Sequence, residues 1–245
     1  MASIETGHAK NVAIFEDLIS YCTSLGGTYN PSKGILHLAA MNPQLAAAQT
    51  ALQTVKTNKT AYDNATNGRE IAMGPLKSLT TKIINALKAS DATSQTIDDA
   101  RSIANKIRGT GKSKSAAKQG AEASAAAAKT NSTSQQSYDK LVDHFAQLIE
   151  ILAQQPSYQP NENQLKVVNL NALRADLAAR NTAVGNGWIN LSGARLNRNN
   201  ILYAELTGMV DVGMAVKSYL KSVFGATSPQ FKQVSKLKFT RPPGD

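Results

Sequence analysis

Apolar side chains recur at alternating steps of three and four residues through one long stretch of the chain, from Asn42 to Ala89. This spacing places them along one face of a helix, as in a heptad seam. Asn42 and Pro43 are a favoured helix start, because Asn caps the first turn and Pro is accepted at the first helical position. We therefore predict one helix over 42–89, about 70 Å long at ~1.5 Å per residue. The seam consists of Ala48, Leu52, Val55, Lys59, Tyr62, Thr66, Arg69, Met73, Leu76, Thr80, Ile83 and Leu87.

The same seam returns over 171–223, at a constant offset of 129 residues. Landmarks outside the seams also return: 28–31 matches 157–160, and 91–94 matches 225–228 at an offset of 134. Heptads can align by chance, but these outer landmarks count against that alternative. We predict a tandem duplication and an all-α, elongated helical bundle with two very long helices and pseudo-two-fold symmetry. The second seam consists of Leu177, Asn181, Val184, Trp188, Leu191, Arg195, Arg198, Leu202, Glu205, Met209, Val212 and Val216.

The pair Gly74-Pro75 interrupts the first seam. Proline inside a helix costs about 3 kcal/mol and usually kinks it. Its counterpart is Ala204, in a stretch without proline. We therefore expect a kink at Pro75 and not an end, and a second long helix that is continuous and about five residues longer.

The landmarks divide the chain into five segments, with a helix A, a long helix B and a short helix C in each repeat. Helix A of the first repeat is predicted over 10–25 and helix C over 94–108. The middle segment is rich in Ala, Ser, Lys and Gly and has no large apolar residue, which is typical of a flexible linker. The segments are an N-terminal arm 1–9, repeat 1 over 10–108, a linker 109–135, repeat 2 over 136–240 and a C-terminal tail 241–245.

The composition fits this architecture, since 42% of residues are apolar but only 5% are aromatic. Such a chain suits thin packing of helices that approach closely. The net charge is +10, spread as +3, +3 and +4 over 1–109, 110–137 and 138–245. An even excess favours general attraction to polyanions over a defined nucleic-acid site.

Cysteine content and apolar runs indicate where the protein is located. The single cysteine, Cys22, lies on the apolar face of helix A and excludes an intrachain disulfide; we expect a buried thiol and a cytoplasmic protein. The first residues have neither the basic region nor the apolar region of a secretory signal peptide, so we expect no such signal. No apolar run reaches the ~20 residues of a membrane span, and charges interrupt the richest one, 202–223, which argues against a pore former.

Candidate chemistry is sparse. His8, His37 and His144 are far apart and lack metal-ligand spacing. Gly109 to Ser113 has the sequence of the end of a phosphate-binding loop, but Lys106 stands where the first glycine is needed. We predict no catalytic residue, cofactor, metal or small-molecule substrate.

The polar middle of the seam is the candidate site, since charged residues fall on or near otherwise apolar faces. One interpretation is half-exposed side chains with packed stems and solvated charges. The other is a buried polar layer that fixes the register of the two long helices. The residues are Lys59, Asp63, Arg69, Glu70, Arg195, Arg198 and Glu205.

The segment 221–234, KSVFGATSPQFKQV, resembles a tail found in uncharacterised bacterial all-helical proteins. The resemblance implies a bacterial origin and brings no activity, cofactor or site residues.

Two functions remain from different classes. The first is a non-catalytic structural or scaffolding protein that assembles with itself into filaments or other homopolymers, since related surfaces in one chain give open polymers when the rotation does not close. The alternative is a basic helical binding module for a polyanion, either nucleic acid or an acidic surface.

Overall fold

The computed structural model describes residues 2–110 and 136–241. All regular elements in these ranges are helical, which confirms the all-α prediction. Residues 111–135 of the predicted linker and 242–245 of the predicted tail lie outside the described residues. The helices are α1 Ala2–Ser24, α2 Leu38–Met73, α3 Leu76–Lys88, α4 Ser94–Arg108, α5 Tyr138–Ala153, α6 Val167–Tyr203, α7 Met209–Phe224 and α8 Pro229–Ser235.

Helix starts are the least well predicted feature. The fourth helix, α4, has its predicted bounds, with Thr93 capping the amide of Thr96. In contrast α1 begins at Ala2, within the predicted arm. Both α2 and α6 begin four residues before the predicted Asn caps. The reason is that a short 3₁₀ turn precedes each of them, and the carbonyl of the residue after that turn already accepts a helical hydrogen bond. In the first case, the amide of Met41 donates to the carbonyl of His37 at 3.0 Å.

The predicted helix 42–89 is interrupted, because α2 ends at Met73 and α3 begins at Leu76. Pro75 keeps a helical backbone conformation, with φ −71° and ψ −12°. Proline has no N–H to donate to the carbonyl four residues earlier, and its ring crowds that carbonyl. Helical bonding resumes at once, with the amide of Leu79 donating to the Pro75 carbonyl at 2.9 Å.

The prediction that the second long helix continues through Ala204 is wrong. α6 ends at Tyr203 and α7 begins at Met209. Leu206 adopts a positive φ of 62°, and its amide donates to Asp211 at 2.9 Å. The turn needs glycine at 208, because a Cβ there would come within 2.5 Å of the Ala204 nitrogen. The five extra residues of the second repeat thus form a turn, not a longer helix.

The described chain forms two compact units. Unit 1 is Met1–Tyr62 with Gly187–Asp245. Its core joins α1 and the first part of α2 to the end of α6, α7 and α8. Cys22 is buried there as predicted, and burial raises the pKa of its thiol to about 11.

Unit 2 is Asp63–Asn186. Its core joins α3, α4 and the end of α2 to α5, the following 3₁₀ turn and the start of α6. Phe145 and Leu148 of α5 are fully buried in this core beside Ile83 of α3 and Ile107 of α4. Each unit therefore combines pieces of both predicted repeats.

The same tyrosine contact occurs in both units. In unit 1 the Tyr29 hydroxyl donates to the Leu36 carbonyl at 2.6 Å. In unit 2 the Tyr158 hydroxyl donates to the Leu165 carbonyl at 2.9 Å. Both bonds are buried and fix the turn that precedes a long helix, and the two tyrosines are 129 residues apart.

Replacing Tyr29 or Tyr158 with Phe leaves a buried carbonyl without its partner. We expect each change to lower the free energy of unfolding by about 1–3 kcal/mol, measured by urea denaturation. Tyr21→Phe is the matched control, because its bond to the Gln230 carbonyl is exposed, and it should cost less. Equal losses in all three variants would contradict the role of the buried bonds.

His144 makes unit 2 sensitive to acid. Burial lowers the pKa of His144 below the ordinary histidine value of 6.5, and the positive charges of Lys106 and Lys140 lower it further. The negative charge of Asp143 and a hydrogen bond to the Gln147 side chain raise the pKa of His144 and so act in the opposite direction. The folded state therefore holds His144 neutral, and its stabilising contribution is complete above pH 6.5 and is lost as pH falls through the lower folded-state pKa.

We expect His144→Gln to flatten the loss of stability between pH 7 and pH 5, measured as the urea midpoint at each pH. His37→Gln is the control, since His37 is exposed and its ring bonds the Pro31 carbonyl. An unchanged slope in the His144 variant would contradict this prediction.

Candidate interaction surface

The seven polar seam residues occupy different environments. Lys59 and Glu70 are exposed, and Glu205 is exposed in the turn after α6. Asp63, Arg69 and Arg195 are half-buried. The half-exposed interpretation therefore fits three of the seven residues, and a shared role of the set in helix register stays a prediction.

The two arginines at equivalent seam positions are the best covered of the set. Arg198 is 4% exposed and binds the Asn199 side chain through Nε and Nη2, at 3.1 and 2.9 Å. Arg69 places its guanidinium 3.9 Å from the centre of the Tyr138 ring. Both follow regular seven-residue series along their helices. The buried members of these series are Met41, Ala48 and Val55 in α2, and Leu170, Leu177, Val184, Leu191 and Arg198 in α6.

Trp188 departs from the seam prediction, since it is 53% exposed. The centre of its ring lies 5.8 Å from the centre of the Tyr62 ring, at an interplanar angle of 56°. Ile189 and Leu196 are 66% and 68% exposed. They are seven residues apart and so share one helix face. We call Trp188, Ile189 and Leu196 the α6 patch.

The equivalent positions of α2 are polar. At the offset of 129, Trp188 corresponds to Lys59, Ile189 to Thr60 and Leu196 to Asn67. All three α2 side chains are exposed. At the matching positions the exposed face of α2 is therefore polar, whereas that of α6 is apolar.

A second surface feature is the segment 212–241, which carries six basic residues and no acidic one. Arg241 pairs with Asp211, and this partner lowers the pKa of the Asp211 carboxyl. Lys217 donates to the Leu237 carbonyl at 2.6 Å. We call the four exposed lysines of this segment the basic patch: Lys221, Lys232, Lys236 and Lys238.

The C-terminal end of this segment is fixed within unit 1. Asn11 is fully buried and bonds both the carbonyl and the amide of Thr240, at 2.6 and 3.0 Å. The Phe239 ring packs on Gly213, where any side chain would collide with it. The lysines of the basic patch are thus presented by an anchored segment.

Shallow grooves occur in unit 2. One of about 340 Å³ is lined by Asp139, Asp143 and Asn181, and one of about 500 Å³ lies beside Tyr158 and Lys82. Within residues 2–110 and 136–241, no group of three or more His, Cys, Asp or Glu side chains could hold a metal ion. In the same ranges no helix is both long and apolar enough to cross a membrane.

Sequence reasoning missed both patches. Ile189 and Leu196 lie off the seam. Two large apolar residues seven positions apart on the outer face of a helix could have indicated an exposed apolar surface. The basic patch was not predicted because the net charge was counted over 138–245, where acidic residues before position 212 offset the lysines of the patch.

Comparison with protein-family models, with curated proteins and with solved structures finds no match to this chain.

Proposed function

We propose that the protein is a non-catalytic structural or scaffolding protein that assembles with copies of itself through the α6 patch. The observation that supports this most directly is the exposure of Trp188, Ile189 and Leu196 where α2 carries Lys, Thr and Asn. Clustered exposed apolar side chains are typical of protein contact sites. A second copy of the chain can bury these side chains against its own α6 patch, so no other partner is needed.

We also infer that the chain arose by tandem duplication, with two very long helices inherited from one ancestral helix. Supporting this, the elements of 2–110 and 136–241 follow the same order. The buried Tyr29 and Tyr158 bonds recur at the seam offset. Both long helices also break at matching places, before Leu76 and before Met209. Duplication makes α2 a natural reference for α6.

That reference gives a direct test. The double change Ile189→Thr with Leu196→Asn installs the residues of α2 on α6. We expect self-association to weaken at least about tenfold, since removing two contact residues from an apolar interface costs more than about 1.4 kcal/mol. Sedimentation velocity over micromolar to millimolar concentrations measures it, with negative-stain microscopy to identify filaments.

The matched control is Ile71→Asn. Ile71 is exposed on α2 outside the patch, and its counterpart Asn200 is polar. It should leave assembly unchanged, and both variants should keep their stability within about 0.5 kcal/mol because the altered side chains are exposed. A wild-type protein that stays monomeric at all concentrations and salt levels would overturn the proposal.

The alternative function is binding of a polyanion, with nucleic acid as the favoured class. The basic patch supports this alternative, because its lysines are exposed, uninterrupted by acidic residues and held by an anchored segment. Phosphate contacts by lysine release counterions, so the affinity should fall steeply as salt rises.

We expect Lys→Gln at all four positions of the basic patch to reduce the salt slope of DNA binding. The reduction is about 0.9 for each lysine that contacted a phosphate, measured by fluorescence anisotropy with a labelled duplex. The control removes four other exposed lysines, Lys77, Lys82, Lys88 and Lys140, and so changes net charge equally. Equal effects of the two variants indicate diffuse attraction, and no binding at low salt eliminates this function.

A further inference from the structure

The core of unit 1 is completed only by joining the two ends of the chain. Phe15 and Leu18 of α1 are fully buried. They lie in one cluster with Val212 and Val216 of α7, about two hundred residues later. Withdrawing the second group would expose the first to water, at a cost of about 1.5–3 kcal/mol for each large side chain.

The core of unit 2 is built in the complementary way. Ile83 of α3 and Ile107 of α4 belong to the first segment of the chain, 2–110. Phe145 and Leu148 of α5 belong to the second, 136–241. All four are fully buried in one cluster. Each segment therefore supplies half of both cores, and neither segment holds a complete core.

The connection between the segments places little constraint on which copies pair. Its two ends meet in unit 2, where the Gln136 side-chain amide donates to the Lys106 carbonyl at 2.5 Å. The intervening residues, 111–135, would reach about 80 Å if fully extended, at ~3.3 Å per residue. This length far exceeds what joining two touching positions requires.

We propose that segment 2–110 of one copy pairs with segment 136–241 of a second copy, so that the chains exchange halves. Exchange retains every contact inside both units, because each unit already consists of one piece from each segment. Such exchange of identical elements is a low-cost route to dimers and longer chains. The inference deepens the proposed self-assembly: it names how copies that meet through the α6 patch become joined.

Concentration decides between the two pairings. Joining the two segments in one chain gives them an effective concentration in the millimolar range. Copies held together in an assembly reach comparable local concentrations, and exchange then competes with pairing inside the chain. Exchanged dimers dissociate slowly, because the cores must open first, whereas contacts through an exposed patch reverse on dilution.

Two full-length variants test this by complementation. The first carries Phe15→Asp and Ile107→Asp, which damage both cores from segment 2–110. The second carries Phe145→Asp and Val216→Asp, which damage both cores from segment 136–241. A buried unpaired carboxylate is strongly destabilising, so neither variant should fold alone. Together, the undamaged segments can pair across chains and restore both cores.

We expect the two variants, co-expressed with different tags, to co-purify and to show a cooperative thermal transition with about half of the wild-type amplitude. The control replaces the second variant with Leu18→Asp plus Ile83→Asp, which damages the same segment as the first. No intact pairing then exists, and no transition should appear. A transition absent from both mixtures, with both chains soluble, overturns the exchange.

Wild-type protein provides the deciding measurement if the variants precipitate. Isotope-labelled and unlabelled chains are unfolded together in urea, refolded at millimolar concentration and diluted before native mass spectrometry. Mixed dimers that persist after dilution support the exchange, and their absence overturns it. Concentration-dependent assembly without persistent dimers would leave the proposed function standing and remove only the exchange.

Discussion

The structure depends on one constraint: neither the segment 2–110 nor the segment 136–241 can bury its own apolar faces. α1 needs the face of α7, and α5 needs the faces of α3 and α4. With few aromatic side chains to fill a thick core, each unit must gather stripes from several helices. The long helices α2 and α6 serve this need, because each contributes one end to unit 1 and the other end to unit 2. Folding of either unit thereby requires residues from both segments, 2–110 and 136–241.

Seam positions were predictable because helical burial follows spacing closely. From Ala48 in α2 and from Leu177 in α6, the seven-residue series of buried positions falls on the predicted seams, and helix α4 has its predicted ends. Breaks were harder to predict. Ala204 looked favourable for a helix, but the stop depends on Gly208, Leu206 at positive φ and the Asp211 side chain acting together. No single residue in that stretch indicates the end of a helix as clearly as Pro75 does between α2 and α3.

The candidate surfaces were less predictable than the core, and for a different reason. A periodic pattern identifies the face that is buried, but it does not show whether an apolar residue packs in the core or lies exposed at the surface. Trp188 was assigned to the seam because its spacing fits, yet it is 53% exposed. The distinction required coordinates for α6 and a counterpart in α2. Similarly, the basic patch emerges only when charge is counted over the anchored segment instead of over a whole repeat.

If the two repeats began as copies, the places where they now differ mark separate uses. In α7, Gly213 leaves room for the Phe239 ring, and this contact helps to hold the segment that ends at Arg241. On α6, the exposed Trp188, Ile189 and Leu196 stand where the offset of 129 gives polar residues on α2. Both features lie in unit 1, while the buried tyrosine bonds are the same in both units. A duplicated chain that binds a partner through unit 1 is expected to keep its buried contacts in both copies and to diverge at that surface.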